Sequence, residues 1–318
     1  MKARITGTGS YIPKSILTND DLSKMVDTSD DWIRSRTGIR TRYIAKEEST
    51  SYMASRAAEK AIDNAEISSP EIDMIIVATS TPDYGFPNCA SLVQKEIGAI
   101  NAACFDISAA CSGFITALIT AKAFIETGRY KKILVAGSDR MSSIVDWKDR
   151  SVCVLFGDGA GAAVIEADKE YRKSDVSGIS ADITDYELNN DGNISEVLSG
   201  GCKLPISMNG QEVFKFAVRK VPLSIENLLK KNNCEIKDVD YFILHQANVR
   251  IIESVSKRLK TDMAKFPVNL DKYGNTSAAS ISVLLDEMNR NNKFKNTKKV
   301  VLSGFGAGLS WGSILLTM

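Results

Sequence analysis

The amino-acid sequence predicts an α/β protein built from two duplicated halves. The chain of 318 residues is 44% hydrophobic and 25% charged, which is typical of a globular protein rather than a disordered or fibrous one. Two apolar segments of the first half recur in the second at a constant distance, with an amphipathic helical pattern between them. Apolar strands that alternate with helices favour parallel or mixed sheets covered by helices.

The first repeated segment is an apolar strand pattern that begins at Ile72 and again at Val239, 167 residues later. The second begins at Lys132 and again at Lys299, which is also 167 residues later. Because one offset relates both pairs, the spacing inside the two halves is equal, as gene duplication predicts. The predicted domains are residues 1–170 and 171–318.

An apolar helical stripe lies between the repeated strands of each half. Its residues recur three or four positions apart, which is the spacing of one helix face. They are Phe114, Leu118, Ala121 and Ile125 in the first half and Ile281, Leu284, Leu285 and Met288 in the second. Since ligand pockets favour domain interfaces, we expect the functional site at the seam between the halves.

Charge and targeting features exclude several classes of function. Forty basic and 39 acidic residues give a formal net charge of +1, so we expect neither nucleic acid nor a membrane as a partner. The N-terminus lacks the apolar run of a signal peptide, and the uncharged residues 300–318 hold four glycines, unusual in a membrane span. One histidine and six scattered cysteines form no recognisable zinc site or disulfide framework. We therefore expect a cytoplasmic protein without a bound metal.

The glycine-rich residues 157–162 loosely match the dinucleotide-binding fingerprint. That fingerprint requires a helix to follow, whereas residues 163–166 are typical of a strand. Because Asp158-Gly159 is a hairpin turn signal, we favour a hairpin that joins a strand at 152–156 to this second strand.

Three side chains could carry out chemistry. Cys111 lies near a predicted helix start, where the macrodipole and unpaired amides favour a thiolate. His245 ends the repeated strand of the second half, and its counterpart is Ala78, so the fold does not need an imidazole there. Asn275 precedes the second helical stripe, at the position that Ser108 holds in the first half. A pseudo-twofold arrangement of the halves would bring the three side chains together.

Each of the three also has a purely structural explanation. Cys111 could be a small buried residue, His245 a hydrogen-bonded core residue and Asn275 a helix N-cap. A papain-like cysteine hydrolase is a further alternative, because Cys, His and Asn occur in that order and at a suitable spacing. The signature of that family is missing around Cys111, however, and the duplication has no place in its fold.

The sequence resembles 3-oxoacyl-(acyl-carrier-protein) synthase III, the initiating condensing enzyme of type II fatty-acid synthesis, in the thiolase-like superfamily. The resemblance covers essentially the whole chain and implies a five-layer α-β-α-β-α stack of two duplicated halves. The matching segments are residues 106–114 around Cys111, 244–248, 274–280, 304–312, 30–33, 36–40 and 156–161.

The resemblance implies a decarboxylative Claisen condensation. Cys111 would carry the acyl group of an acyl-CoA primer, acetyl-CoA or another short or branched one. His245 and Asn275 would donate to the enolate that malonyl-acyl-carrier-protein forms on losing CO₂, and the backbone amides of Cys111 and Ala307 would form an oxyanion hole. Ala307 stands where family members often carry glycine, but its role is a backbone one. The products would be 3-oxoacyl-acyl-carrier-protein, coenzyme A and CO₂, and no cofactor is implied.

The resemblance also implies three groups of binding residues. Coenzyme A would contact Trp32, Arg36 and Arg150. The acidic acyl carrier protein would dock on Arg250, Lys257 and Arg258, which follow His245. Phe86 would reach across a homodimer to shape the acyl pocket.

Two further alternatives stay open. A thiolase-like acyltransferase or a condensing enzyme of a secondary-metabolite pathway would use the same cysteine and histidine, although the presence of Asn275 favours decarboxylative condensation. A non-catalytic scaffold that binds the acyl carrier protein would not need the intact set of three residues.

Overall fold

The computed structural model describes residues 1–168, 178–201 and 204–318. The predicted domain boundary between residues 170 and 171 lies outside the described residues, as does Cys202. The division into domains 1–170 and 171–318 therefore stays a prediction.

The described residues form thirteen strands and ten α-helices. In chain order the strands are β1 (Ala3–Tyr11), β2 (Ser15–Thr18), β3 (Thr41–Ile44), β4 (Met74–Ala78), β5 (Ala103–Ile107), β6 (Lys132–Asp139), β7 (Gly159–Ala167), β8 (Ala181–Asn190), β9 (Leu198–Gly201), β10 (Leu204–Met208), β11 (Tyr241–Leu244), β12 (Lys299–Gly306) and β13 (Ser310–Thr317). The helices are α1 (Asn19–Ser23), α2 (Asp30–Thr37), α3 (Thr50–Asn64), α4 (Cys89–Ile97), α5 (Gly113–Glu126), α6 (Arg150–Cys153), α7 (Gly210–Lys231), α8 (Val249–Arg258), α9 (Leu270–Tyr273) and α10 (Ser280–Arg290). None of these helices is both long and apolar enough to cross a membrane.

Two sheets meet edge to edge in the middle of the molecule. Nine strands are hydrogen-bonded in the order β11-β12-β13-β8-β1-β7-β6-β4-β5. The central link is short, because β1 and β8 pair only at Arg4 with Asp182 and at Ile5 with Ala181. Strands β5, β4 and β6 run parallel to one another, and β11 runs parallel to β12.

The strands bury both of their faces, which explains their continuous apolar sequence. In β4, Ile76 faces a core that also contains α5 and α10, whereas Ile75 and Val77 face a core shared with α3 and α4. A third core packs α7 and α8 against the far side of β11 and β12. The order is therefore helices, sheet, helices, sheet, helices, which confirms the predicted five-layer fold.

The repeated segments fold into corresponding elements of the two halves. Strands β4 and β11 begin 167 residues apart, as do β6 and β12 and the central helices α5 and α10. The two 3₁₀ turns that precede the central helices, Ala110–Ser112 and Ser277–Ala279, have the same offset. The two halves therefore present equivalent strand ends and helix starts toward each other.

The predicted hairpin at residues 157–162 is wrong. The preceding apolar run is not a strand but the short helix α6 and a turn. The Asp149 side chain caps this helix at the Ser151 amide, and Arg42 Nη2 donates to the carbonyl of Val154 at 2.7 Å. Gly161 lies inside β7, where a Cβ would stand 2.4 Å from Ser282 Oγ. This glycine allows a strand and a central helix to approach closely, and no dinucleotide-binding turn forms.

Candidate active site

A cavity of about 610 Å³ opens between the two halves and contains all three candidate reactive side chains. Cys111 comes from the 3₁₀ turn before α5, His245 from the end of β11 and Asn275 from the loop before α10. The cavity is also lined by Phe305 and Gly306, where β12 ends. Corresponding ends of the two halves thus converge on one enclosed space.

The Cys111 thiol is enclosed, with the residue only 8% exposed. Its Sγ donates to Ser277 Oγ at 3.4 Å. Burial raises the pKa of the thiol to about 12, although the Ser277 hydroxyl acts in the opposite direction. Removal from water therefore outweighs the helix start that led us to expect a thiolate, and the resting group is a neutral thiol.

His245 is buried and neutral. Its backbone amide donates to the Ser303 carbonyl at 2.8 Å, which continues the pairing of β11 with β12 beyond Leu244. The ring Nδ1 lies 2.6 Å from Ser280 Oγ, and the ring meets Phe305 edge to face with centroids 5.3 Å apart. Burial lowers the pKa of the imidazole to about 3. The side chain is thus held rigidly in a form that has one donor nitrogen and one acceptor nitrogen.

Asn275 is fixed by its backbone and by its side-chain oxygen. Its amide donates to the Leu155 carbonyl at 2.8 Å, and its own carbonyl accepts from Gly157 at 3.0 Å. The side-chain Oδ1 accepts the Ser277 amide at 2.9 Å. Because the oxygen is occupied, the Nδ2 group is the part of the side chain left to donate to a bound molecule.

A second, smaller cavity of about 60 Å³ adjoins Cys111. Its walls are mostly apolar, from Met141, Ile144, Leu198 and Ile206, and Ala307 closes one side. The adjacent Gly306 passes so close to the nucleophile that a Cβ there would lie 2.7 Å from the Cys111 backbone nitrogen. The backbone of β12 and the Cys111 turn therefore meet beside the thiol.

The mouth of the large cavity carries an aromatic ring between two cations. Trp32 and Arg36 line the cavity. The guanidinium of Arg150 lies 4.8 Å from the Trp32 ring centroid, and that of Arg36 lies 5.6 Å from it. Arg150 Nη1 also donates to the Asp27 carbonyl at 2.7 Å. A planar group and negative charges could both bind at this entrance.

The remaining predicted residues lie farther from the thiol. Arg250 lines the cavity at the start of α8, while Lys257 and Arg258 are exposed at the end of the same helix. Phe86 is 91% exposed and lines neither of the two cavities that Cys111 reaches. Within one chain the structure therefore separates Phe86 from the residues it was expected to accompany.

Sequence reasoning missed three polar residues around the reactive groups. Ser277 touches the thiol and Ser280 holds the imidazole, although both lie in the segment 274–280 whose resemblance was noted. Asp139, at the end of β6, is fully buried behind Ser277 and accepts the Ala278 amide at 3.1 Å. An acidic residue directly after an apolar strand was the available signal for Asp139.

Comparisons with known proteins agree with this architecture. The sequence profile of 3-oxoacyl-(acyl-carrier-protein) synthase III matches residues 105–192, and that of its C-terminal part matches residues 229–318. Beta-ketoacyl-(acyl-carrier-protein) synthase III of Clostridium acetobutylicum is 49% identical over 316 residues, 98% of this chain and 97% of the relative.

Solved structures show the same similarity. The 3-oxoacyl-(acyl-carrier-protein) synthase III from Aquifex aeolicus VF5 gives a TM-score of 0.93 at 46% identity, covering 99% of this chain and 100% of that one. The priming beta-ketosynthase from the R1128 polyketide biosynthetic pathway gives a TM-score of 0.90 at 32% identity, covering 100% of this chain and 96% of that one.

Proposed function

Because the chain belongs to the 3-oxoacyl-(acyl-carrier-protein) synthase III family of condensing acyltransferases, we propose that it starts fatty-acid synthesis by joining an acyl-CoA primer to malonyl-acyl-carrier-protein. The observation that carries this proposal is the convergence of Cys111, His245 and Asn275 on one cavity next to a small apolar pocket. The nucleophile, the hydrogen-bond donors and space for an acyl chain are then within reach of one another.

In the first half-reaction Cys111 takes the acyl group from coenzyme A. The sulfur attacks the thioester carbonyl, a tetrahedral intermediate forms, and coenzyme A leaves. The negative oxygen of that intermediate needs donors that are already in position, and the Cys111 and Ala307 backbone amides are the proposed pair. The close approach of Gly306 to the Cys111 turn supports this assignment, because it brings the two backbone segments together.

In the second half-reaction malonyl-acyl-carrier-protein loses CO₂, and the enolate attacks the acyl-cysteine. Asn275 Nδ2 is available to the enolate oxygen because Oδ1 accepts from Ser277. Ser280 Oγ accepts the Gln246 amide at 3.4 Å, so we assign its hydroxyl hydrogen to His245 Nδ1 and the imidazole hydrogen to Nε2. A neutral His245 can then donate through Nε2, and the chemistry needs no cofactor beyond the thioester substrates.

The size of the small cavity supports a short primer. Its volume of about 60 Å³ compares with roughly 30 Å³ for one water in the liquid, a molecule similar in size to a methylene group. We therefore propose acetyl or propionyl thioesters as primers. Incubation with an equimolar mixture of acyl-CoAs, followed by mass spectrometry of the protein, tests this choice. Preferential labelling by chains of six or more carbons would contradict it.

The entrance of the large cavity suits coenzyme A. Trp32 offers its ring for stacking with adenine, and Arg36 and Arg150 offer charge for the phosphates. Arg250, Lys257 and Arg258 form the proposed docking face for the acidic carrier protein, because they extend from the cavity mouth along the exposed side of α8. A cytoplasmic location goes with these substrates and stays a prediction.

A homodimer is proposed from two exposed features of the first half. Strand β5 stands at the end of the strand series, and such an edge is a template for pairing with another strand. Nearby in sequence, Phe86, Tyr84 and Ile100 are 91%, 61% and 77% exposed. Sedimentation analysis tests the proposal: a dimer is expected for the native chain, and a monomer at micromolar concentration would contradict it.

A priming role in polyketide synthesis is a second candidate. The observation that favours it is the similarity to the R1128 priming beta-ketosynthase over the whole chain. Both roles use the same condensation and differ in the carrier protein. Measuring kcat/KM with the carrier proteins of fatty-acid and polyketide synthesis from one organism separates them, since the true partner is expected to be used more efficiently.

Cysteine chemistry itself is tested by substitution. Cys111→Ala is expected to abolish transfer of the acyl group from acyl-CoA to the protein. His245→Ala and Asn275→Ala are expected to acylate normally but to fail in decarboxylating malonyl-acyl-carrier-protein. Unchanged condensation by either of these two variants would contradict their assignment.

A further inference from the structure

Building on the proposed function, we propose that Ser277 and Asp139 form the proton path of Cys111. Ser277 Oγ receives the thiol proton as the sulfur attacks the primer, and Asp139 holds a proton until condensation frees the sulfur again. Ser277, which touches the reacting sulfur, is then a catalytic residue, and Asp139 acts through it.

The contact between Ser277 and the thiol is direct. Cys111 Sγ donates to Ser277 Oγ at 3.4 Å, and Ser277 is 1% exposed. The counterpart of Ser277 in the first half is Ala110, 167 residues earlier, and both have left-handed backbones with φ of 51° and 45°. Since an alanine forms the equivalent turn, the turn itself does not require the hydroxyl.

Asp139 is a fully buried carboxyl group surrounded by hydroxyl and amide groups. Its Oδ1 accepts from Thr79 Oγ1 at 3.0 Å, from the Ser80 amide at 2.7 Å and from Thr81 Oγ1 at 3.1 Å. Its Oδ2 accepts from the Ala278 amide at 3.1 Å, next to Ser277. Burial raises the pKa of Asp139, and the Ser277 side chain is the hydrogen-bonding neighbour that lowers it most. A carboxyl group held in this way can exist in either protonation state.

The fold itself does not require this carboxyl group. The counterpart of Asp139 in the second half is Gly306, which occupies the last position of β12 as Asp139 does in β6. The same strand end therefore forms with no side chain at all, and a structural need common to both halves does not explain the aspartate.

The charges in the site favour transfer within this chain of groups. A thiolate next to an ionised Asp139 would place two negative charges in one buried region, and the carboxylate does raise the pKa of Cys111. If the thiol proton passes to Ser277 while the Ser277 proton passes to Asp139, one negative charge remains and only its position changes.

His245 is a poor alternative acceptor for the thiol proton. Its Nδ1 is occupied by Ser280, and its Nε2 hydrogen is assigned to the substrate oxygen. Burial also opposes an imidazolium in this site, since it lowers the pKa of His245 to about 3. A buried carboxyl group whose pKa is raised holds a proton more firmly.

The proposed step conserves atoms and charge. The Cys111 S–H bond breaks, the proton joins Ser277 Oγ, and the former Ser277 proton joins Asp139. The thiolate displaces coenzyme A, which takes one proton from solvent. When the enolate attacks the acyl-cysteine, the C–S bond breaks, and Asp139 returns its proton through Ser277 to the sulfur.

Other titratable groups lie near this path and are considered in the test. His245 faces it across the cavity. Cys89 lies close enough to Asp139, Asp83 and Asp106 for their charges to raise the pKa of its thiol. All of these remain unchanged in the variants below.

The test measures the single-turnover rate of Cys111 acylation by acetyl-CoA, without malonyl substrate, from pH 6 to 10. Ser277→Ala and Ser277→Gly are expected to slow acylation by about 10²–10⁴ at pH 7, the usual contribution of a positioned proton acceptor. The loss is expected to shrink as pH rises, because hydroxide then removes the proton. Ser277→Thr keeps the hydroxyl and is expected to restore most of the rate.

Asp139→Asn separates a proton acceptor from a mere neighbouring charge. Asparagine cannot take the proton, so the proposal predicts slower acylation. If Asp139 acted only through its negative charge, its removal would lower the pKa of Cys111 and speed acylation, which would overturn the proposal. Ser138→Ala, an equally buried serine whose Oγ bonds the Thr50 carbonyl instead, is the matched control and is expected to acylate at the native rate.

Infrared difference spectra provide a readout that a structural role would not move. Acylation of the native protein is expected to produce the carbonyl band of a protonated carboxyl group, and this band is expected to be missing in Asp139→Asn. Native acylation without the band, or Ser277 variants that acylate at the native rate, would overturn the proposal. Failure of the proposed function is distinguishable, because the native protein itself would then not acylate Cys111.

Discussion

Acidification is expected to leave the imidazole of His245 neutral far below the pH at which an ordinary histidine becomes charged. Burial lowers its pKa to about 3, against about 6.5 for an exposed imidazole. The unfolded chain therefore binds a proton below about pH 6.5 that the folded chain refuses, and stability falls as pH falls through this window. At about 1.4 kcal/mol per pH unit, this one group removes about 2 kcal/mol between pH 6.5 and pH 5.

The assay is direct because the chain contains a single histidine. In protein labelled with ¹⁵N-histidine, the imidazole nitrogen shifts are expected to stay those of the neutral ring from pH 8 to about pH 4. Urea unfolding at pH 7 and pH 5 is expected to show a stability loss about 2 kcal/mol smaller for His245→Gln than for the native protein. Buried carboxyl groups such as Asp139 are common to both proteins and cancel in this difference. A titration midpoint near pH 6.5 would refute the reasoning.

Three further predictions concern the walls and mouth of the site. Gly306→Ala places a Cβ 2.7 Å from the Cys111 nitrogen and is expected to reduce stability by about 1–3 kcal/mol and to slow acylation; calorimetry and acylation rates check this, with Gly192→Ala, whose Cβ meets nothing within 4 Å, as the unaffected control. Trp32→Ala is expected to raise KM for acyl-CoA roughly three- to tenfold with little change in kcat; an unchanged KM would remove Trp32 from the coenzyme site. Arg250→Glu is expected to raise KM for malonyl-acyl-carrier-protein while acyl-CoA loading stays normal, and Lys95→Glu on the outer helix α4 is the charge-matched control; equal losses for both variants would contradict docking at α8.

Much of the architecture followed from the constant offset between the halves. That offset paired strands β4 with β11 and β6 with β12, because duplicated sequences bury the same faces of the same elements. It also placed Cys111 and Asn275 before equivalent helices, where the two halves meet.

What sequence could not predict depends on contacts between distant segments. The run 152–156 is apolar and short, so its pattern fits a strand as well as a buried turn. The helix forms there because Asp149 caps it and Arg42, more than a hundred residues away in sequence, holds the Val154 carbonyl.

The pKa of the nucleophile was also beyond the sequence. A helix start predicts a lowered pKa for Cys111, but the enclosing walls that raise it come from several separate segments of the chain. The position of Asp139 behind Ser277 likewise appears only when β6 and the turn before α10 are brought together.

Intact-protein mass spectrometry after incubation with acetyl-CoA measures the acyl-carrying role of Cys111 most directly. We predict a mass increase of one acetyl group, located by peptide mapping on the peptide that contains Cys111 and lost again when malonyl-acyl-carrier-protein is added. Label on any other cysteine, or persistence of the label in Cys111→Ala, would contradict the account.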